Sequence, residues 1–209
     1  MRIFRWAGLV GAVVFLAGHI MVSSVPGGGD VDPTDFDDYY VADDKTGLAI
    51  AGLIIVSVGV ILLVLFLHHL RTTIASDLSR LAFASGMAGF SVYAVGATLL
   101  AAPSAVQAFS DADFVGEEVA HTFAAAGFGA ILIPGALLIG LAIAAFSVAG
   151  RQTSAFPSWV TIIGYIVALL QLAAIIWLPF LLVPVWLALA SIAGTRRGVV
   201  VVAVTGDVV

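Results

Sequence analysis

The sequence predicts an all-α membrane protein, a single polytopic bundle of six transmembrane helices over residues 1–209. Three observations lead to this fold class. First, 62% of the residues are hydrophobic and 10% are charged, whereas a water-soluble domain is about half hydrophobic and about a quarter charged. Second, apolar stretches of membrane-spanning length recur along the chain. Third, the arginines are confined to alternate connections between these stretches.

Four apolar stretches each have the length of one membrane crossing. A hydrocarbon core about 30 Å thick needs roughly 20 helical residues, because each residue advances the helix by about 1.5 Å. The four predicted spans cover residues 5–24, 46–69, 81–102 and 119–148. The first span follows Arg2 and Arg5, a pattern that also begins a secretory signal. Its apolar run is long and no clear cleavage site follows, so we expect the span to be retained.

Prolines interrupt two of the apolar stretches. Pro134, in the middle of the fourth span, predicts a kink. The fifth stretch, from Trp159 to Gly194, has roughly 36 residues and would form a helix about 54 Å long, which is too long for one crossing. Because Pro179 and Pro184 break this stretch, we predict a tight hairpin of two spans. The two spans and the tail that follows them are residues 159–178, 180–194 and 195–209.

The arginines predict the orientation of the bundle. They precede the first span, flank the connection between the second and third, and follow the fourth and sixth: Arg2, Arg5, Arg71, Arg80, Arg151, Arg196 and Arg197. In a six-span chain all these positions lie on one side, which the positive-inside rule makes cytoplasmic. Both termini are therefore predicted inside. A five-span chain would leave Arg196 and Arg197 outside, so the same rule supports the hairpin.

The opposite side is acidic. Its first loop, residues 25–45, carries seven aspartates and few apolar residues, so we expect it to be solvated and to bury little surface. The second outer loop contains Asp111, Asp113 and Glu117. The aspartates of the first loop also suit a hard cation such as calcium, but the glycine turn and distal glutamate of an EF-hand are missing.

Small residues are spaced by multiples of four on one face of the third and fourth spans. They are Ser85, Gly89 and Ala97 in the third and Ala136, Gly140 and Ala144 in the fourth. Such stripes allow helix backbones to approach closely. We expect them to pack inside the bundle, with a homo-oligomer or another membrane protein as the alternative partner. The lipid bilayer is the partner expected for the remaining faces.

Two histidines suggest a candidate site. His19 lies little more than one helical turn from the outer end of the first span, and His121 lies equally far inside the fourth. Thr98 and Gln171 come from the same half of the third and fifth spans. Because ionisable residues inside a membrane usually face the bundle interior or a cavity, we predict a polar or ligand site of these four residues. Separate solvation of the two histidines at the headgroup boundary is the alternative.

The sequence predicts no catalytic residue and leaves three functions open. With no cysteine, a thiolate nucleophile and a cysteine-ligated metal are excluded. The scattered arginines do not favour nucleic acid as a partner. The first hypothesis is a non-enzymatic membrane component that binds a partner. The second is a small transporter or channel with a polar outer-half site. The third is a redox protein that binds haem or a transition metal through His19 and His121.

Three short motifs add a resemblance. An acidic segment from Tyr39 to Asp44 precedes the second span, Pro157-Ser-Trp159 opens the fifth, and Pro184-Val-Trp186 lies in the sixth. In this layout the chain resembles a group of small six-helix membrane proteins of actinobacteria and haloarchaea that has no assigned function. The resemblance implies a six-helix bundle in the cell membrane of a prokaryote. It implies no activity and no site residues.

Overall fold

A computed structural model describes residues 2–26, 34–42, 45–110 and 115–193. All regular elements in these ranges are helical, so the all-α prediction is confirmed for the described chain. The α-helices are α1 (Arg2–Val22), α2 (Thr34–Asp37), α3 (Thr46–Ile74), α4 (Asp77–Ser110), α5 (Glu117–Ala130), α6 (Ala136–Gln152), α7 (Ser158–Leu170) and α8 (Leu182–Ala193). Turns of π-helix cover Asp38–Ala42 and Ile131–Gly135, and turns of 3₁₀-helix cover Gln171–Ile176 and Leu178–Leu181. The tail of residues 195–209, with Arg196 and Arg197, lies outside the described residues.

Within the described ranges, three helices are long and apolar enough to cross a membrane. They are α3, α4 and the continuous helix Glu117–Gln152, which contains α5 and α6. Three shorter apolar helices accompany them, Trp6–Val22, Ser158–Ala174 and Leu178–Ala193. Their outer faces carry large apolar side chains; Leu172 and Ile176, for example, are each 70% exposed. Such faces suit a lipid environment, where exposed apolar side chains carry no hydrophobic cost.

The helices form a ring in chain order. α1 packs against α3, α3 against α4, α4 against α5 and α6, and α6 against α7. The ring closes because α8 packs against both α7 and α1. The turns after α3 and after α6 lie at the same end of the bundle, since short turns join neighbouring antiparallel helices. Arg71, Arg80 and Arg151 therefore share this end.

The turn between α3 and α4 is closed by local hydrogen bonds. Ala75 adopts a left-handed conformation with φ 49°, and its N–H donates to the carbonyl of Arg71. Ser76 and Ser79 then cap α4 reciprocally, because the backbone N–H of each donates to the side-chain oxygen of the other at 3.0 and 3.1 Å. This pairing satisfies backbone donors that the first turn of a helix leaves without partners.

Pro134 lies in the π-helical turn between α5 and α6. A proline cannot supply the backbone donor of an α-helix and its ring crowds the preceding turn, and the wider π turn accommodates both effects. Two helical turns before Pro134, Gly127 of α5 crosses Gly96 of α4. A Cβ atom on either glycine would lie 2.7 Å from the carbonyl oxygen of the other. Only glycine fits at this crossing, so the small residues here serve packing within the chain.

The last apolar stretch is broken at Trp177, slightly before the two prolines that predicted the break. Trp177 has φ 69° and ψ −46°, so the backbone leaves the helical region between the two 3₁₀ segments. Pro179 follows in the first turn of the second segment. Pro184, by contrast, lies inside α8, in its first turn, where the missing N–H breaks no helical hydrogen bond.

The outer segment before α3 differs from the predicted solvated loop. Phe36, Tyr39 and Tyr40 are buried, and α2 packs against α5. The expectation that this loop buries little surface is therefore wrong for residues 34–42. These three aromatic residues are spaced i, i+3 and i+4, which places them on one face of a helical turn, while the aspartates between them had suggested solvation. Residues 27–33 and 43–44 of the predicted loop lie outside the described chain.

Candidate functional site

His19 occupies the last turn of α1 and is almost completely buried, with 1% of its surface exposed. Phe15 and Ser23, four residues before and after it, lie on the same face of the chain because i and i+4 positions are neighbours on a helix. This face of α1 is directed toward α4 and the hairpin between α7 and α8: His19 contacts Tyr93 of α4 and Phe180 of the hairpin.

The imidazole has hydroxyl partners at one nitrogen. The Tyr93 hydroxyl lies 2.8 Å from Nδ1 of His19, and the Ser23 hydroxyl lies 3.3 Å from the same atom. When Tyr93 donates to Nδ1, the proton of a neutral imidazole is on Nε2. Nε2 is buried and has no hydrogen-bond partner among the described residues. A buried N–H without a partner is costly, and it marks the place where a water or ligand acceptor would be stabilised.

Aromatic rings enclose the imidazole. The ring centroids of Phe15, Trp177 and Phe180 lie 6.1, 5.7 and 5.2 Å from that of His19. The Tyr93 ring stacks in parallel on Phe180, with centroids 5.6 Å apart and planes 1° apart. Because such pairs gain contact energy beyond the area they bury, the aromatic enclosure fixes the hairpin against α1 and α4.

Gln171, at the start of the 3₁₀ turn after α7, contacts the same hairpin. Its side-chain Nε2 donates to the carbonyl of Pro179 at 2.9 Å and to that of Val167 at 3.3 Å. Pro179 directly precedes Phe180, so one bond connects Gln171 to the segment that covers His19. Gly140 of α6 leaves room for Gln171, because a Cβ atom there would lie 2.9 Å from the Gln171 Cβ.

Thr98 and His121 face outward. Thr98 is exposed, and its hydroxyl donates to the carbonyl of Ala94 within α4 at 2.8 Å. His121 is also exposed, and the edge of its ring meets Phe36 of α2 with centroids 5.9 Å apart. The described contacts thus connect His19 and Gln171 to the hairpin, and Thr98 and His121 to the bundle surface. Sequence predicts depth in a span, but the rotation of each helix decides which face a residue occupies.

Several residues of this environment were not predicted as site residues. Tyr93 is the hydrogen-bond partner of His19, and Phe15, Trp177 and Phe180 surround the ring. The spacing of Phe15, His19 and Ser23 was a usable signal, since it places all three on one helix face. Tyr93 also lies on the small-residue face of α4, between Gly89 and Ala97. No comparable signal existed for Phe180, because its position depends on the turn at Trp177.

Buried hydroxyls form a second polar region between α6, α7 and α8. Ser147 and Thr161 are buried, and no hydrogen bond partner of their side-chain oxygens lies within the described chain. Trp186 donates its indole N–H to the carbonyl of Val160 at 3.3 Å. Gly164 completes the region, because a Cβ atom there would lie 2.6 Å from the indole nitrogen. The hydrogen bond from Trp186 to Val160 and the close approach at Gly164 hold α8 against α7.

His19 offers a metal or haem only Nε2, and only in the other tautomer, in which Nδ1 carries the proton and donates it to the Tyr93 hydroxyl. In the described ranges, no three histidine, aspartate or glutamate side chains come together as a possible metal site. The enclosure around His19 is instead made of aromatic carbon and two hydroxyl groups. Comparison with known proteins found no match for this chain among family models, curated proteins or solved structures.

Proposed function

We propose that the chain is a six-span integral membrane protein of a prokaryotic cell membrane, with both termini in the cytoplasm. Three long apolar helices support a membrane location. α7 with its 3₁₀ extension is about 32 Å long and α8 with its preceding 3₁₀ turn about 26 Å, since the rises are about 1.5 and 2.0 Å per residue. Both lie alongside helices of the same ring. The first matches a hydrocarbon core about 30 Å thick, and the second is about 4 Å shorter, a mismatch that local thinning of the bilayer accommodates at modest cost.

Within that membrane the chain acts as a non-enzymatic component that binds another membrane protein or a second copy of itself. The observation that carries this proposal is the closed interior: Phe15, Tyr93 and Phe180 pack together at its centre. Because its centre is filled by its own side chains, the bundle would bind a partner protein through its outer apolar faces. Membrane helices associate through such faces by close packing. The resemblance to the unassigned six-helix group stays a prediction.

Site-specific photo-crosslinking tests partner binding. A photoreactive amino acid replaces one exposed residue on each of several helices in turn: Val13, Ile61, Val95, Leu141 and Leu169. We expect a discrete protein adduct in native membranes from one face of the ring and lipid adducts alone from the others. Lipid adducts at every position would contradict the proposal. Phe146, which is buried, provides the control position, where we expect crosslinks within the chain.

A second candidate function is ligand binding at His19. It is favoured by Nε2, a buried nitrogen whose hydrogen-bonding capacity the described residues leave unused. A haem bound there would give a Soret band in the visible spectrum of the purified protein, and His19→Leu would abolish it. A featureless spectrum in the protein purified with added haem would contradict that form of the hypothesis. The transporter alternative draws no support from Thr98 and His121, because both side chains are exposed.

A further inference from the structure

A cleft opens at the turn between α3 and α4. Its volume is about 290 Å³, and its lining includes His68, Arg71, Thr72, Ser76, Ser79 and Arg80. The cleft is separate from the His19 region, because its α4 residues lie about four helical turns before Tyr93. Arg71 and Arg80 both border this small space, while the hydroxyl groups of Thr72 and Ser79 already donate to backbone carbonyls. Arginine has five N–H donors and no acceptor, so this lining selects an anion with several acceptor oxygens.

The position of Arg71 is fixed by an aromatic ring. Its guanidinium carbon lies 5.2 Å from the centroid of Phe83, within the range of a cation–π contact. The same ring meets the edge of the His68 imidazole at 5.9 Å between centroids. Phe83 of α4 thus positions two of the side chains that α3 contributes. A guanidinium held in this way loses less side-chain entropy when it binds a ligand.

Arg80 has an acidic neighbour that competes for it. Its Nη1 lies 3.1 Å from a carboxylate oxygen of Asp77, three residues earlier in α4. Both side chains are largely exposed, 72% and 95% respectively, and such a pair contributes little in water. The bond occupies one of the five donors, so the others remain available to an anion in the cleft.

An apolar stripe leads along α3 into the cleft. Ile61, Leu65, His68 and Thr72 follow one another at intervals of four, three and four residues, so they share one helix face. All four side chains are exposed; Ile61 and Leu65 are 61% and 40% exposed. An acyl chain would lie against Ile61 and Leu65 while its headgroup reaches the basic residues. A free phosphate would gain nothing from this stripe.

We propose that the cleft binds the phosphate of an anionic phospholipid headgroup, with an acyl chain of the same lipid along Ile61 and Leu65. Arg71 and Arg80 donate to the phosphate oxygens. The proposal rests on the membrane crossing of α3. It depends neither on the number of spans nor on which side of the membrane the cleft faces.

Native mass spectrometry of the detergent-purified full chain tests this proposal. The protein is titrated with phosphatidylglycerol and, separately, with phosphatidylcholine of the same acyl chains. We expect preferential retention of phosphatidylglycerol. Each interfacial arginine is worth about fivefold in affinity for an anionic lipid, so Arg71→Gln with Arg80→Gln lowers the affinity roughly 30-fold. Arg151→Gln removes an exposed arginine at the same end of the bundle and leaves the preference unchanged.

Three outcomes would overturn the proposal. They are equal retention of the two lipids, a preference that survives the double substitution, and a preference that Arg151→Gln removes equally well. Inorganic phosphate is added as a competitor at millimolar concentration; complete displacement of the lipid by it would assign the cleft to free phosphate instead. Should the double variant aggregate, each single variant decides the matter with an expected loss of about fivefold. The measurement is made in micelles, so a failure of the six-span topology is detected separately, by reporter fusions.

Discussion

At the scale of single residues, the structure gives the two predicted site histidines different contacts. The equal depths of His19 and His121 favoured a site between them. The structure instead pairs His19 with Tyr93, while His121 meets Phe36 on the outside. The depth of a residue follows from counting along an apolar stretch. Its partner depends on helix rotation, which is determined by packing across the bundle and leaves little trace in one sequence.

A double-mutant cycle distinguishes these pairs. His19→Leu and Tyr93→Phe each remove one partner of a buried hydrogen bond, so we expect the two losses of stability to be non-additive by about 0.5–3 kcal/mol. Thermal or denaturant unfolding in detergent measures the coupling. The matched control is His19→Leu combined with His121→Leu, for which the effects should add. If the His19 and His121 effects were coupled and the His19 and Tyr93 effects were additive, the result would favour a site shared by the two histidines.

At the scale of elements, apolar length and proline positions predicted the helices well and their crossings poorly. The stretch that contains Pro179 is indeed broken, yet the break lies at Trp177, whose positive φ no residue-type preference predicts. Pro134 likewise predicts a kink, but not that the chain accommodates the proline by a π turn from Ile131 to Gly135. Small-residue spacing predicted close packing in α4, but not that Gly96 would face Gly127.

The Gly127 crossing gives a test with an internal control. Gly127→Ala adds a methyl group 2.7 Å from the carbonyl oxygen of Gly96, so the helices must separate, at a cost of about 1–3 kcal/mol. Gly129→Ala, two residues later, meets open space and should stabilise the helix by up to about 1 kcal/mol. Unfolding temperatures in detergent compare the two variants. Equal effects would show that this contact does not limit packing.

The outer segment of residues 34–42 predicts an alkaline transition. Burial raises the pKa values of Tyr39 and Tyr40 above their ordinary value near 10. The folded state therefore holds the phenol protons more tightly than the unfolded state, and the resulting stability is fully present below pH 10. It is lost as the pH rises through the folded pKa values.

Tyrosinate absorbance and thermal stability between pH 8 and pH 12 test this transition. The loss of stability should be smaller in Tyr40→Phe, which keeps the ring and removes the titrating hydroxyl. Tyr165→Phe, on α7, is the control for the general loss of a tyrosine. A Tyr40→Phe profile identical to that of the parent would mean that the segment does not contribute to alkaline stability.

At the scale of the whole molecule, the charge distribution and the ring order support each other. The ring closes when α8 lies between α7 and α1, which is the arrangement that an antiparallel hairpin at the end of the chain produces. The arginines predict the same hairpin by an independent argument, since they require an even number of crossings. The sequence could not predict that the first and last helices would be neighbours, because contacts between distant segments have no local signature.

The six-span topology predicts where reporters fused to the chain will be active. This topology puts all seven arginines on one side, where they oppose translocation. A fluorescent protein fused after Gly194 should therefore fluoresce, and alkaline phosphatase at the same position should be inactive. Phosphatase inserted at Gly28 should be active, because the predicted topology puts the acidic first loop outside. An insertion at Ala155, in the turn between α6 and α7 next to Arg151, should behave like the fusion at Gly194. Activity of phosphatase after Gly194 together with fluorescence at Ala155 would show that the hairpin crosses only once, and five spans would replace six.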